Sequence, residues 1–163
     1  MSALIVFESA FGNTREIARA VVEGLGTEKA RLAGVEEAPQ VIPDDVTLLV
    51  VGAPTHAFGM SRPATREDAA GRGAARVSTG VREWIQTVSV GERQVGLAVF
   101  DTKASQVRHL PGAARGEAKG LRKRGLSLVI EAESFLVADI TGPLLPGERE
   151  RARAWGSRLT AFV

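Results

Sequence analysis

The sequence predicts an α/β protein with a doubly wound, five-stranded parallel sheet in the order 2-1-3-4-5 and helices on both faces. Three observations lead there. Two unbroken apolar runs, 3–7 (Ala-Leu-Ile-Val-Phe) and 47–52 (Thr-Leu-Leu-Val-Val-Gly), and a third strand-like run at 94–100 punctuate the chain. Runs of this kind read as strands buried on both faces, the signature of a parallel sheet. Segments with helical apolar spacing separate them, and strand–helix alternation joined by right-handed crossovers leaves few topologies. The length, 163 residues, suits one domain spanning 1–163.

The elements follow in order. After the first strand, Ile17, Ala18, Val21, Val22 and Leu25 share one helical face, with Gly24 and Gly26 as the expected stop. A weak strand is expected over 30–32. Pro39 and Pro43 keep any helix between 34 and 45 short. Beyond the strand at 47–52, residues 53–76 read as a long Pro-, Gly- and Arg-containing connection. Ser78 reads as the N-cap of a helix that carries Val81, Trp84, Ile85 and Val88 on one face. The strand at 94–100 leads to a helix at 113–124 with a weak apolar face. Its basic outer face, with Arg115, Lys119, Arg122, Lys123 and Arg124, is either solvated or docks an acidic partner. A strand at 126–130 follows, extended by 134–137. Ala152, Trp155, Leu159 and Phe162 form a last amphipathic helix opened by Pro146-Gly147-Glu148, and Trp84 and Trp155 are assigned to the core.

Composition excludes several function classes. There is no cysteine, which removes disulfide frameworks, thiolate metal sites and thiol catalysis. Two histidines are too few for a metal cluster, and a net charge of +2 gives no field that points to nucleic acid. The apolar N-terminal run is short, lacks a basic leader and ends at Glu8. No run approaches the roughly 18 apolar residues of a membrane span. The expectation is a cytoplasmic protein with neither a membrane nor a nucleic-acid partner.

In a doubly wound sheet, ligands bind beyond the C-terminal strand ends at the switch point. That selects the loops 8–14, 53–62 and 100–112. In the first, Ser9, Ala10, Phe11, Gly12, Asn13 and Thr14 join a buried strand to a helix start. Backbone N–H groups there have no intrahelical partner, and the helix dipole favours an anion. Gly12 allows a tight curl, while Ser9, Asn13 and Thr14 add side-chain donors. The loop contains no lysine and the Gly-x-Gly-x-x-Gly pattern is absent, so neither nucleotide fingerprint applies. Neutral donors alone suit a phosphomonoester dianion. The plainer alternative is a simple helix cap at Ser9 or Thr14.

Ser9-x-x-Gly12-Asn13-Thr14 after a strand resembles the phosphate loop of flavodoxins and flavodoxin-like quinone reductases. Gly52-Ala53-Pro54-Thr55 with His56-Ala57-Phe58-Gly59 resembles their second flavin loop. Glu133-Ser134-Phe135, Gly142-Pro143-Leu144 and Gly147-Glu148 resemble the closing segment of actinobacterial-type flavodoxin-like proteins. The resemblance implies FMN as cofactor. Ser9, Phe11, Gly12, Asn13 and Thr14 would hold its phosphate, and Pro54, Thr55, His56, Ala57, Phe58 and Gly59 would line the ribityl chain and isoalloxazine.

The third loop, Phe100-Asp101-Thr102-Lys103, matches less well, because the family usually places an aromatic, often tyrosine, here and this chain has none. Phe58, Phe100 or His109 would have to stack on the ring. Phe100 equally reads as the last buried residue of its strand, and His109 as an ordinary loop residue. Lys103 reads as a cation near flavin N1 or as a solvated lysine, and His56 as a pocket residue or an exposed one. The charged segment 62–76 reads as a lid or docking loop, or as a solvated excursion.

Three functions follow. The first is FMN-dependent electron transfer between a reductase and an acceptor protein, with the chain a monomer or small homo-oligomer and no catalytic acid or base required. The second is an FMN-dependent NAD(P)H:quinone-type reductase. The third is a binding or regulatory module of the same fold without flavin. Flavodoxins are mostly strongly acidic, whereas this chain is near neutral.

Overall fold

Alternate residues of each central strand enter two separate cores, one on each side of the sheet. In β1 (Ser2–Phe7), Leu4 and Val6 face one core, while Ala3 and Ile5 face the other. In β3 (Val46–Pro54), Leu49, Val51 and Ala53 oppose Leu48 and Val50. In β4 (Gly96–Ala104), Leu97 and Val99 oppose Ala98 and Phe100. Such strands have no solvent face, which is why they read as continuous apolar runs. The computed structural model describes residues 1–163.

The sheet is parallel throughout, in the order β2-β1-β3-β4-β5, as expected from the sequence; β2 is Ala30–Gly34 and β5 is Ser127–Leu128. A sixth strand, β6 (Glu133–Val137), also pairs with β4 in parallel, over Phe100–Ala104. It continues the line of β5, so the two are one edge position interrupted at 129–132. The expected strand at 126–130 is therefore only two residues long, and its extension carries most of the pairing.

The helices α1 (Asn13–Leu25) and α5 (Glu148–Leu159) cover one face; α3 (Val81–Thr87) and α4 (Ala113–Arg122) cover the other. The stop of α1 is Gly26, in a left-handed conformation (φ 100°). Gly24 does not stop the helix. A Cβ at Gly24 would lie 2.0 Å from the Arg153 carbonyl oxygen, and one at Gly156 would lie 2.4 Å from that of Val21. The two glycines let the backbones of α1 and α5 touch where they cross.

Between 34 and 45, where Pro39 and Pro43 leave room for at most a short helix, the chain forms turns that bury Val35, Ala38 and Ile42. The N-cap of α3 is Gly80, not Ser78, because the Glu36 carboxylate accepts hydrogen bonds from both N–H and Oγ of Ser78 at 2.7 Å. The connection 53–76 contains a helix, α2 (Pro63–Gly71), that no apolar periodicity announces: its buried residues are Ala69 and Arg66. Pro63 at its first position and the Arg62 N–H donated to Thr65 Oγ1 at 2.8 Å start it. Phe162 lies beyond α5 and is 38 % exposed. No helix is long and apolar enough to cross a membrane.

Candidate functional site

The C-terminal ends of β1, β3, β4 and β6 open onto a cavity of about 630 Å³. The first loop forms one end. Gly12 is the N-cap of α1 with φ +93°, a left-handed conformation that costs other residues roughly 1–2 kcal/mol. Ser9 Oγ accepts hydrogen bonds from the N–H groups of Gly12 (3.1 Å) and Arg15 (3.3 Å). Ser9 therefore shapes the loop from within. The N–H groups of Ala10, Phe11, Asn13 and Thr14 make no hydrogen bond within the protein, and all four residues line the cavity. The Asn13 side chain donates to the Thr141 carbonyl at 3.2 Å. Thr14 Oγ1 is 2.8 Å from Thr102 Oγ1 in a buried contact that fixes the helix start to β4.

The second loop supplies the opposite wall. The Thr55 N–H donates to Thr102 O (2.8 Å), and Thr55 Oγ1 accepts the Ala113 N–H (3.1 Å). His56 and Gly59 then exchange two backbone bonds, of 2.8 and 3.1 Å, across Ala57 and Phe58. Both turn residues have positive φ, 48° and 66°, the arrangement of a tight hairpin turn that normally selects Asn or Gly. Such strain concentrates at functional sites. It holds the Phe58 ring 55 % exposed at the cavity edge. His56 Nδ1 lies 3.2 Å from Thr65 Oγ1. Burial, then the nearby Arg66 guanidinium, push its pKa below the usual histidine value, so the ring is neutral at pH 7.

The third loop divides. Thr102 and Lys103 line the cavity, and Lys103 Nζ donates to the Leu110 carbonyl at 2.9 Å. Phe100 and Asp101 do not line it. The Phe100 ring is wholly buried on the α1–α5 side, edge-on to Phe135 (5.9 Å) and Trp155 (6.0 Å); of its two readings the core one holds. Asp101 is buried on the α4 side, where one carboxylate oxygen accepts the Ala114 N–H at 3.0 Å. Burial raises its pKa against that bond. His109 is exposed and off the cavity wall.

Sequence reasoning missed two parts of the site. One is a wall built by α2 with its C-cap and by the end of β6 with the chain after it: Thr65, Asp68, Ala69 and Arg72, with Val137, Asp139 and Ile140. The segment 62–76 is thus a helical wall. The other is a buried polar layer beneath the loops. The Glu8 carboxylate accepts from Ser61 Oγ (2.5 Å) and the Val81 N–H (2.8 Å), and Arg66 bonds Ser61 Oγ (2.9 Å) and pairs with Glu83. Burial raises the Glu8 pKa, while its hydrogen bonds and Arg66 oppose the rise. Glu117 of α4 is completely buried, and neither of its carboxyl oxygens has a partner. An acid closing an apolar strand, as Glu8 does, was the one available signal.

A three-layer parallel sheet ordered 2-1-3-4-5, with a ligand-sized cavity over its switch point, defines the flavodoxin-like class of α/β proteins. Solved structures agree on the fold. Oxidised flavodoxin 1 from Bacillus cereus superposes with a TM-score of 0.70 at 17 % identity, covering 100 % of this chain and 99 % of that one. A flavodoxin from Streptococcus pneumoniae TIGR4 gives 0.69 at 17 %, with 100 % of both chains covered. A WrbA-like flavodoxin from Agrobacterium tumefaciens gives 0.60 at 18 %, covering 98 % and 95 %. No family model and no curated protein sequence matches the chain. The chain has the flavodoxin fold.

Proposed function

We propose that the protein binds FMN and carries electrons between partner proteins in the cytoplasm. The observation that carries this reading is the set of four N–H groups without a protein partner, at Ala10, Phe11, Asn13 and Thr14, all on cavity-lining residues at a helix start. A phosphomonoester satisfies such groups and the dipole together. The rest of the cavity fits the remainder of FMN. Its volume, about 630 Å³, lies in the range of cofactor sites. Thr55 and Thr102 offer polar groups near the middle, and Phe58, Val107 and Ile140 offer apolar surface for a flat ring. The flavodoxin neighbours support the same cofactor.

Bound FMN supplies one-electron and two-electron chemistry. The chain's own residues anchor it, orient it and exclude water. Lys103 lines the cavity with its ammonium held on the Leu110 carbonyl, and its positive charge favours negative charge in the cavity. One-electron transfer requires no proton-transferring side chain of the protein. The purified protein should be yellow and release FMN on denaturation. It should not oxidise NAD(P)H with a quinone unless a separate reductase is added. A colourless protein that takes up no added FMN overturns the reading, and rapid unassisted NAD(P)H oxidation replaces it with the reductase.

A further inference from the structure

The cavity carries a cation close to the first loop that the reading above leaves unused. Arg72, the C-cap of α2, lines the cavity along with Ala10, Phe11, Asn13 and Thr14. Three residues further on, the Ala75 N–H donates to the Ala10 carbonyl at 3.1 Å, so the chain bearing Arg72 is fastened to the loop itself. Three residues span at most about 10 Å, which keeps the loop within reach of an extended arginine. The guanidinium is lightly held. Its one ion pair is with Asp68, a turn earlier, at 3.6 Å between side chains that are 54 % and 72 % exposed. Pairs of that kind contribute little. Asp68 lines the cavity as well, so an anion entering the loop meets a cation and a competing carboxylate.

We infer that Arg72 is a charged ligand of the phosphate held by the first loop, exchanging Asp68 for the phosphate on binding, with Asp68 setting the affinity by competition. The inference rests on the FMN reading and deepens it. A phosphomonoester dianion carries more charge than one carboxylate and offers three oxygens to the planar guanidinium fork, so it wins the exchange. A flavin without phosphate has nothing to offer Arg72 and leaves the pair intact. Arg72 thus adds discrimination for FMN over riboflavin beyond what neutral N–H donors give. The C-cap of α2, not the loop sequence, supplies it.

The test is titration of FMN and of riboflavin by flavin fluorescence quenching into the wild type, Arg72→Ala and Asp68→Asn, at low and high salt. Arg72→Ala should weaken FMN about tenfold or more and leave riboflavin within about twofold. Asp68→Asn should tighten FMN severalfold and leave riboflavin unchanged. FMN affinity should fall less with salt in Arg72→Ala than in the wild type. If the wild type binds FMN but Arg72→Ala weakens both flavins equally or neither, or Asp68→Asn weakens FMN, the pair is a structural strut and the inference fails alone. A wild type that binds no FMN removes the proposed function, and this inference with it.

Discussion

Replacing Glu117 by glutamine changes one atom of a carboxyl group that has no solvent and no hydrogen-bond partner. Burial, reinforced by the carboxyl groups of Asp101 and Glu8, pushes the pKa of Glu117 well above 4.5. An ionised carboxylate in that position is too costly, so the native group is the neutral acid. Between its unfolded and folded pKa values the native state holds a proton that the unfolded state has released. Stability therefore falls as pH rises, by about 1.4 kcal/mol per pH unit. The contribution is complete below the unfolded value and is lost as pH climbs through the folded one. Glutamine has nearly the same shape and does not titrate. The two proteins should match near pH 4 and diverge in favour of Glu117→Gln as pH rises, at up to about 1.4 kcal/mol per pH unit for as long as the native acid stays protonated. Urea unfolding followed by the fluorescence of the buried Trp84 and Trp155 measures the gap, with free flavin matched in both samples. Glu8 and Asp101, also raised by burial, tilt both curves alike and largely cancel in the difference. Parallel pH profiles for the two proteins refute the reasoning.

Other substitutions address the site and the core. Ser9→Ala combined with Thr14→Ala removes the acceptor that holds the Gly12 and Arg15 N–H groups and the contact to Thr102. FMN binding should weaken by about tenfold or more while riboflavin loses far less, and equal losses in titration would remove the phosphate assignment. Lys103→Met removes the positive charge of a cavity-lining residue, so the potential for adding the second electron should drop in a spectroelectrochemical titration; an unchanged potential places the ammonium's field elsewhere. Phe100→Ala empties the centre of the Phe100–Phe135–Trp155 cluster and should cost about 3–5 kcal/mol in denaturant unfolding. A cost below about 1 kcal/mol would mean the ring is not core.

The fold was legible because the strands are buried on both faces, and an unbroken apolar run such as 47–52 has few other uses. The first loop was legible as a helix start because Gly12 and polar residues follow a buried strand, and its unpaired N–H groups are what the proposed phosphate would satisfy. What escaped has physical reasons. Helix α2 buries an arginine and an alanine where apolar periodicity would be sought, so 53–76 read as a connection. Gly24 read as a stop because a close approach to Arg153, 129 residues away in sequence, leaves no local trace. Phe100 and Thr102 point to one side of the sheet and Asp101 to the other, and the strand runs to Ala104, beyond the expected end at residue 100. Arg72 and Glu117 owe their roles to what surrounds them in space. Glu117 in particular sits among basic residues in the sequence and inside the protein in the fold.

The most direct test of the central claim is the visible absorption spectrum of the purified protein, with and without added FMN, followed through stepwise reduction. The expected result is a flavin spectrum that is retained through desalting, lost on denaturation with release of FMN, and reducible in two separate one-electron steps. A protein with no visible band that leaves the spectrum of added FMN unchanged would contradict it.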